Sequence, residues 1–107
     1  MENIQLYLDN LKGYDYTGKM PVVIDFYATW CGPCMSLAPN IERLAKEYDG
    51  RIKVLKVDVD KNPSLAQAAH VMSIPTIFFI DIDGNITRSL GNMPYAQLVN
   101  NVEELLK

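Results

Sequence analysis

The sequence predicts an α/β fold, a central mixed sheet of four or five strands flanked by helices on both faces. Three observations predict it. Runs of apolar, β-branched residues alternate with stretches whose apolar residues recur every three or four positions. The segments come in the order β-α-β-α-β-β-α, and helices must cover both faces of one mixed sheet to bury them all. At 107 residues the chain is long enough for one compact domain and too short for two, so 1–107 reads as a single domain.

Ile4, Leu8 and Leu11 recur at helical spacing and predict a helix over 2–11, with a strand from Ile4 to Leu8 as the competing reading. Residues 12–21 carry Gly13, Gly18 and Pro21 and read as a loop. Val22 to Ala28 is apolar on both faces except for Asp25, as suits a strand buried on two sides. From Gly32 onward Leu37, Ile41, Leu44, Ala45 and Tyr48 share one helical face; Pro39 should kink that helix and Gly50 should end it. Ile52 to Val59 is the next strand, and it should pair in parallel with Val22–Ala28 through a right-handed crossover. Asn62-Pro63 reads as a cap followed by proline in the first helical position, opening a short helix to about Val71. Thr76 to Ile82 and Ile86 to Leu90 predict a hairpin turning on Asp83-Gly84. From Pro94 onward Leu98, Val102, Leu105 and Leu106 mark a C-terminal amphipathic helix.

Ten basic and 13 acidic residues leave a mild acidic excess, which offers no electrostatic footprint for nucleic acid. The longest apolar runs are far too short for a membrane span. Met1-Glu2-Asn3-Ile4-Gln5 has neither a basic region nor an apolar signal stretch, so a cytoplasmic location is expected, with a processed periplasmic form as the alternative.

The two cysteines, Cys31 and Cys34, are spaced C-x-x-C. As a staple the pair is weak, because closing so short a loop removes little entropy from the unfolded chain. As half of a zinc site it lacks partners, since the chain adds only His70 and no third cysteine. Neither a metal nor a separate cofactor is expected. Chemistry suits the pair better. Cys31 follows a buried strand and opens a helix, so its sulfur should lie near the free amides of the helix N-terminus, which favour the reactive thiolate. Gly32 and Pro33 allow a tight first turn. Cys34, three residues on, points back along the same face, close enough to close a disulfide and deeper in the protein. Cys31 can then attack a disulfide and Cys34 can resolve the mixed intermediate.

Asp25 stands among apolar neighbours; buried and unpaired, it would have a raised pKa and could exchange a proton near neutral pH, whereas at a strand end it would face solvent. Trp30 could be a core aromatic or a partly exposed contact beside the reactive turn. His70 reads as a surface or partly packed histidine, Glu103-Glu104 as a solvated helix face, and Tyr14 and Tyr16 acquire no role.

The segment from Val22 through Trp30-Cys31-Gly32-Pro33-Cys34 resembles the active-site segment of the thioredoxin family, and the likeness runs from about Val22 to the C-terminus. It includes Pro39, Ile74-Pro75-Thr76 and Leu90-Gly91. The resemblance implies the thioredoxin fold and the reduction of protein disulfides through Cys31 and Cys34, with that redox-active pair as the only redox group. It implies that Asp25 serves Cys34 as general acid and base, partly through water, and that Lys56 lies near Asp25; a plain edge-facing lysine is the other reading of Lys56. Pro75 needs no special reason at a strand start, but by resemblance the Ile74–Pro75 bond is cis and faces the cysteines. Its neighbouring backbone then pairs with an extended substrate. Trp30, Gly32, Pro33, Ile74, Pro75 and Gly91 would form the docking patch, with Asn92 and Met93 in the Gly91 loop. Protein disulfides are the implied partners, a thioredoxin reductase or a membrane thiol relay the implied electron source, and a monomer the expected state.

Two residues depart from the family pattern. Met35 stands where many members carry lysine, and Tyr27 where a tryptophan is frequent. The first 20 residues also lack a clear first strand. An oxidase or isomerase of the secretory type is disfavoured because Gly32-Pro33 lacks the histidine of the more oxidising relatives. A binding module that merely kept the fold would be free to lose a cysteine, and both are present.

Overall fold

A computed structural model describes residues 20–107. The helix-or-strand reading of 2–11, and the loop up to residue 19, lie outside the described residues. Among the described residues seven elements follow in the expected order: β1 (Val22–Tyr27), α1 (Gly32–Glu47), β2 (Lys53–Asp58), α2 (Pro63–Ala68), β3 (Thr76–Ile80), β4 (Ile86–Leu90) and α3 (Tyr95–Leu105). The four strands form one mixed sheet in the order β2-β1-β3-β4. β1 and β2 pair in parallel, with Asp25 opposite Lys56, and β1–β3 and β3–β4 pair antiparallel.

Period-two alternation explains why β1 reads as apolar throughout. Val22, Ile24 and Phe26 face one side, packing with Val57, Phe78 and Ile80 beneath Leu65 and Ala69 of the α2 segment. Phe26 and Phe78 meet edge to face at 4.8 Å. Val23 faces the other side with Ile77 and Phe79, under Leu37, Ile41 and Leu44 of α1 and Leu98 and Val102 of α3. Asp25 has the parity of Val23 and lies on the α1/α3 side. Truncating a leucine at such a position, Leu37 for instance, typically costs about 2–5 kcal/mol.

Several boundaries differ from the sequence reading. β1, β2 and β3 are a residue or two shorter than read, because pairing stops where the chain turns toward the sheet ends, and β4 has the bounds read. The hairpin turns at Asp83-Gly84 as read, with Gly84 at φ 87° and its N–H donating to the Asp81 carbonyl at 2.9 Å, but the connection is longer than read. Ile80 pairs with Ile86, and Asp81 organises the connection by accepting from the amides of Asp83 and Asn85, both at 2.9 Å. α2 stops at Ala68 rather than near Val71 because His70 adopts a left-handed backbone (φ 54°). Val71 N–H then reaches the Ala66 carbonyl and His70 N–H the Gln67 carbonyl, the two bonds of a Schellman ending. Gly50, with φ 82°, follows α1 as expected. Met93 lies in the loop between β4 and α3 as read, with its side chain buried in the α1/α3 core and its sulfur accepting from Asn101.

Candidate redox site

The topology brings four chain segments to one end of the sheet. β1 and β2 run in parallel, so the turn Ala28–Cys31 and the segment Val59–Asp60 emerge side by side. β3 begins there, directly after Pro75, and β4 ends there, before Gly91. Gly91 N–H donates to the Pro75 carbonyl at 2.8 Å, tying the last two together.

Cys31 and Cys34 are joined by a disulfide. Cys31 is the N-cap of α1, and its sulfur takes the place of a capping oxygen: it accepts from the Cys34 N–H at 3.3 Å. Pro33, in the first turn, has no amide to offer, so Cys34 N–H is the inward donor that reaches the sulfur. The donor and the positive end of the helix both stabilise negative charge on Cys31. Both cysteines are buried, Cys34 at 1% exposure and Cys31 at 5%, so the expectation of a more open Cys31 survives only as a small difference in the disulfide form. The Cys31 sulfur lies 3.8 Å from the Ile74 carbonyl oxygen, and the Ile74–Pro75 peptide is cis. The cysteines thus meet the Ile74-Pro75 segment although they are far apart in sequence.

Asp25 is buried at 1% exposure, and neither of its carboxylate oxygens has a hydrogen-bond partner among the described residues. The solvent-facing reading of Asp25 is therefore wrong. Burial pushes its carboxyl up from 3.8 to about 6, and the Lys56 charge opposes that rise. Lys56 itself is exposed, with its ammonium 4.7 Å from the centre of the Tyr27 ring. It lies beside Asp25 across the β1–β2 pairing. A carboxyl tuned in this way can change protonation near neutral pH.

Trp30 is 71% exposed, so the core reading fails. Its indole N–H donates to Asp60 at 2.7 Å. Asp60 escaped the sequence reading, although the predicted parallel pairing of β1 and β2 already placed the residues after each strand together. Trp30, Val59, Val71, Met72, Ser73 and Ile74 line a depression of about 200 Å³ beside the disulfide. A side-chain carbon added at Gly32 would meet nothing within 4 Å, so the chain's own packing leaves that turn open. No group of three or more His, Cys, Asp or Glu able to hold a metal occurs among the described residues. No helix of the described residues is long and apolar enough to cross a membrane.

Comparison with known proteins gives a consistent result. The chain matches the family model described as Thioredoxin over residues 9–104. It is 46% identical over 95 residues to the thioredoxin of Borreliella burgdorferi, covering 89% of this chain and 81% of that one. It is 44% identical over 84 residues to the thioredoxin of Staphylococcus saprophyticus, covering 78% and 81%. Among solved structures, chloroplastic thioredoxin z is similar with a TM-score of 0.78 and 38% identity, over 92% of this chain and 86% of that one.

Proposed function

The chain belongs to the thioredoxin family and is a thiol–disulfide oxidoreductase that reduces protein disulfides through Cys31 and Cys34; we propose that Cys31 is the attacking sulfur, Cys34 the resolving one and Asp25 the group that exchanges a proton with Cys34. The observation that carries this assignment is the Cys34 N–H held on the Cys31 sulfur at the start of α1. That donor and the helix terminus lower the energy of a thiolate at Cys31 and do nothing comparable at Cys34.

In the first step the Cys31 thiolate attacks one sulfur of a substrate disulfide. A mixed disulfide forms, and the other substrate sulfur leaves as a thiolate. Asp25 takes the proton from the Cys34 thiol, and the resulting thiolate attacks the Cys31 sulfur. The Cys31–Cys34 disulfide forms, and the second substrate thiol is released. Two electrons have passed from the cysteine pair to the substrate. An external dithiol must return them, and a thioredoxin reductase is the donor proposed here. Lys56 tempers the Asp25 carboxyl from across the strand pairing. Trp30, Gly32, Pro33, Ile74, Pro75 and Gly91 form the surface on which an extended substrate segment docks. The open Gly32 turn and the depression at Trp30 and Ile74 support that reading. One domain spanning 1–107, working as a cytoplasmic monomer with no redox group beyond the cysteine pair, completes the proposal.

The test is reduction of insulin with dithiothreitol as electron source. The protein is expected to accelerate precipitation of the insulin B chain well beyond dithiothreitol alone, and a rate equal to dithiothreitol alone would contradict the proposal.

A further inference from the structure

Met72 is 91% exposed, the most exposed of the large apolar side chains described. Methionine is normally a filler of buried gaps, as Met93 is here, with its sulfur held by Asn101. Met72 also has a particular place. It forms a wall of the depression at Trp30, Val59 and Ile74, and equally a wall of the neighbouring depression of about 490 Å³ against Pro63, Gln67 and His70. It lies two residues from the Ile74 carbonyl that the Cys31 sulfur approaches. A thioether that is open to solvent and shared by two adjoining hollows on the docking side combines access for an oxidant with a consequence for binding.

We propose that Met72 is a modification site at which a peroxide converts the thioether to the sulfoxide and thereby weakens docking of protein substrates, without touching the cysteine chemistry. The step balances: one peroxide oxygen is transferred to the Met72 sulfur, which is oxidised by two electrons, and the remaining oxygen leaves as water. The product replaces an apolar, flexible wall with a polar S–O group that an apolar substrate side chain cannot satisfy. While Cys31 and Cys34 are joined as a disulfide they hold no free thiol, so the methionine is the group exposed to the oxidant. This inference rests on the proposed docking surface.

The experiment treats the disulfide form of the full chain with hydrogen peroxide, removes the oxidant, and maps oxygen uptake at each methionine by peptide mass spectrometry. Met72 is expected to react ahead of the less exposed Met35 and far ahead of Met93. The oxidised protein should reduce insulin with kcat/KM lower by about fivefold, the low end of what an imperfectly paired polar group costs in a contact. Its rate with the small disulfide 5,5′-dithiobis(2-nitrobenzoate) should not change. A methionine sulfoxide reductase should restore the insulin rate. In Met72→Leu, whatever its starting rate, peroxide should leave the insulin rate where it was. Oxygen uptake at Met93 as fast as at Met72, an undiminished insulin rate after full Met72 oxidation, or an equal loss in Met72→Leu would each overturn the inference. Untreated protein that fails to reduce insulin would instead contradict the docking surface itself, so the two failures are distinguishable.

Discussion

Asp25 is a charge held where a charge is unwelcome. Its carboxyl sits at about 6 because burial penalises the ionised form more than Lys56 relieves it. The folded protein therefore keeps this proton to higher pH than the unfolded chain does. Stability falls as pH rises from 3.8 to about 6 and stays lowered above that. At about 1.4 kcal/mol per unit of pH, the burden at neutral pH is about 3 kcal/mol. Asp25→Asn removes the charge but leaves an amide to satisfy, so a net gain of about 1–2 kcal/mol is expected at pH 8. Thermal unfolding followed from pH 8 to pH 4 should show that gain shrinking as the wild-type carboxyl protonates; a gain that is constant across the range would show that Asp25 is not titrating there. The same variant should reduce insulin about tenfold more slowly at pH 7, less than the roughly hundredfold or more typical for loss of a general base, because water can accept the Cys34 proton slowly. An unchanged rate between pH 6 and 9 would remove Asp25 from the mechanism.

Among the elements, α2 shows most clearly what the sequence could not tell. Its start was legible, because Asn62-Pro63 is a cap followed by a proline that fits only the first turn. Its end was not, because the residue that closes it is His70 where a glycine would have announced the turn. A left-handed backbone at a residue with a Cβ costs about 1–2 kcal/mol. His70→Gly is expected to raise stability by about 1 kcal/mol after glycine's own entropy loss, read as a higher denaturant midpoint with an unchanged slope. A lower midpoint would mean that the imidazole makes a contact worth more than the strain. β1 and α1 were legible for the opposite reason: each carries a pattern that only one environment satisfies. β1 is apolar on both faces and so must be central, and α1 shows one apolar stripe beneath a cysteine cap. The hairpin and its Gly84 turn were seen but the length was not, since Asp81 extends the connection through side-chain bonds that local propensity does not encode. The place of Met93 in the Gly91 loop was legible, but the burial of its side chain was not. A methionine following a loop glycine carries no mark of whether it will turn outward or plug a core.

At the scale of the whole molecule, the site exists because of strand direction. The parallel β1–β2 pair puts the Trp30 turn next to Asp60, and the antiparallel β3 and β4 return Ile74-Pro75 and Gly91 to the same end. Cys31, Cys34 and Asp25 could be read from residue type and spacing alone. Their meeting with Ile74-Pro75 depends on long-range pairing, and it was foreseen through family resemblance rather than through any local signal. The asymmetry of the two sulfurs is likewise a product of the assembled fold: one caps a helix under an inward amide, and the other is sealed one turn deeper. If Cys31 attacks and Cys34 resolves, as proposed, covalent trapping separates the two sulfurs. In Cys34→Ser the mixed disulfide on Cys31 cannot be resolved internally, so the reduced variant, mixed with a lysate whose protein disulfides are left intact, should accumulate partner proteins as covalent adducts released by dithiothreitol. Cys31→Ser should accumulate few under the same conditions. Equal trapping by both variants, or more by Cys31→Ser, would contradict the assignment.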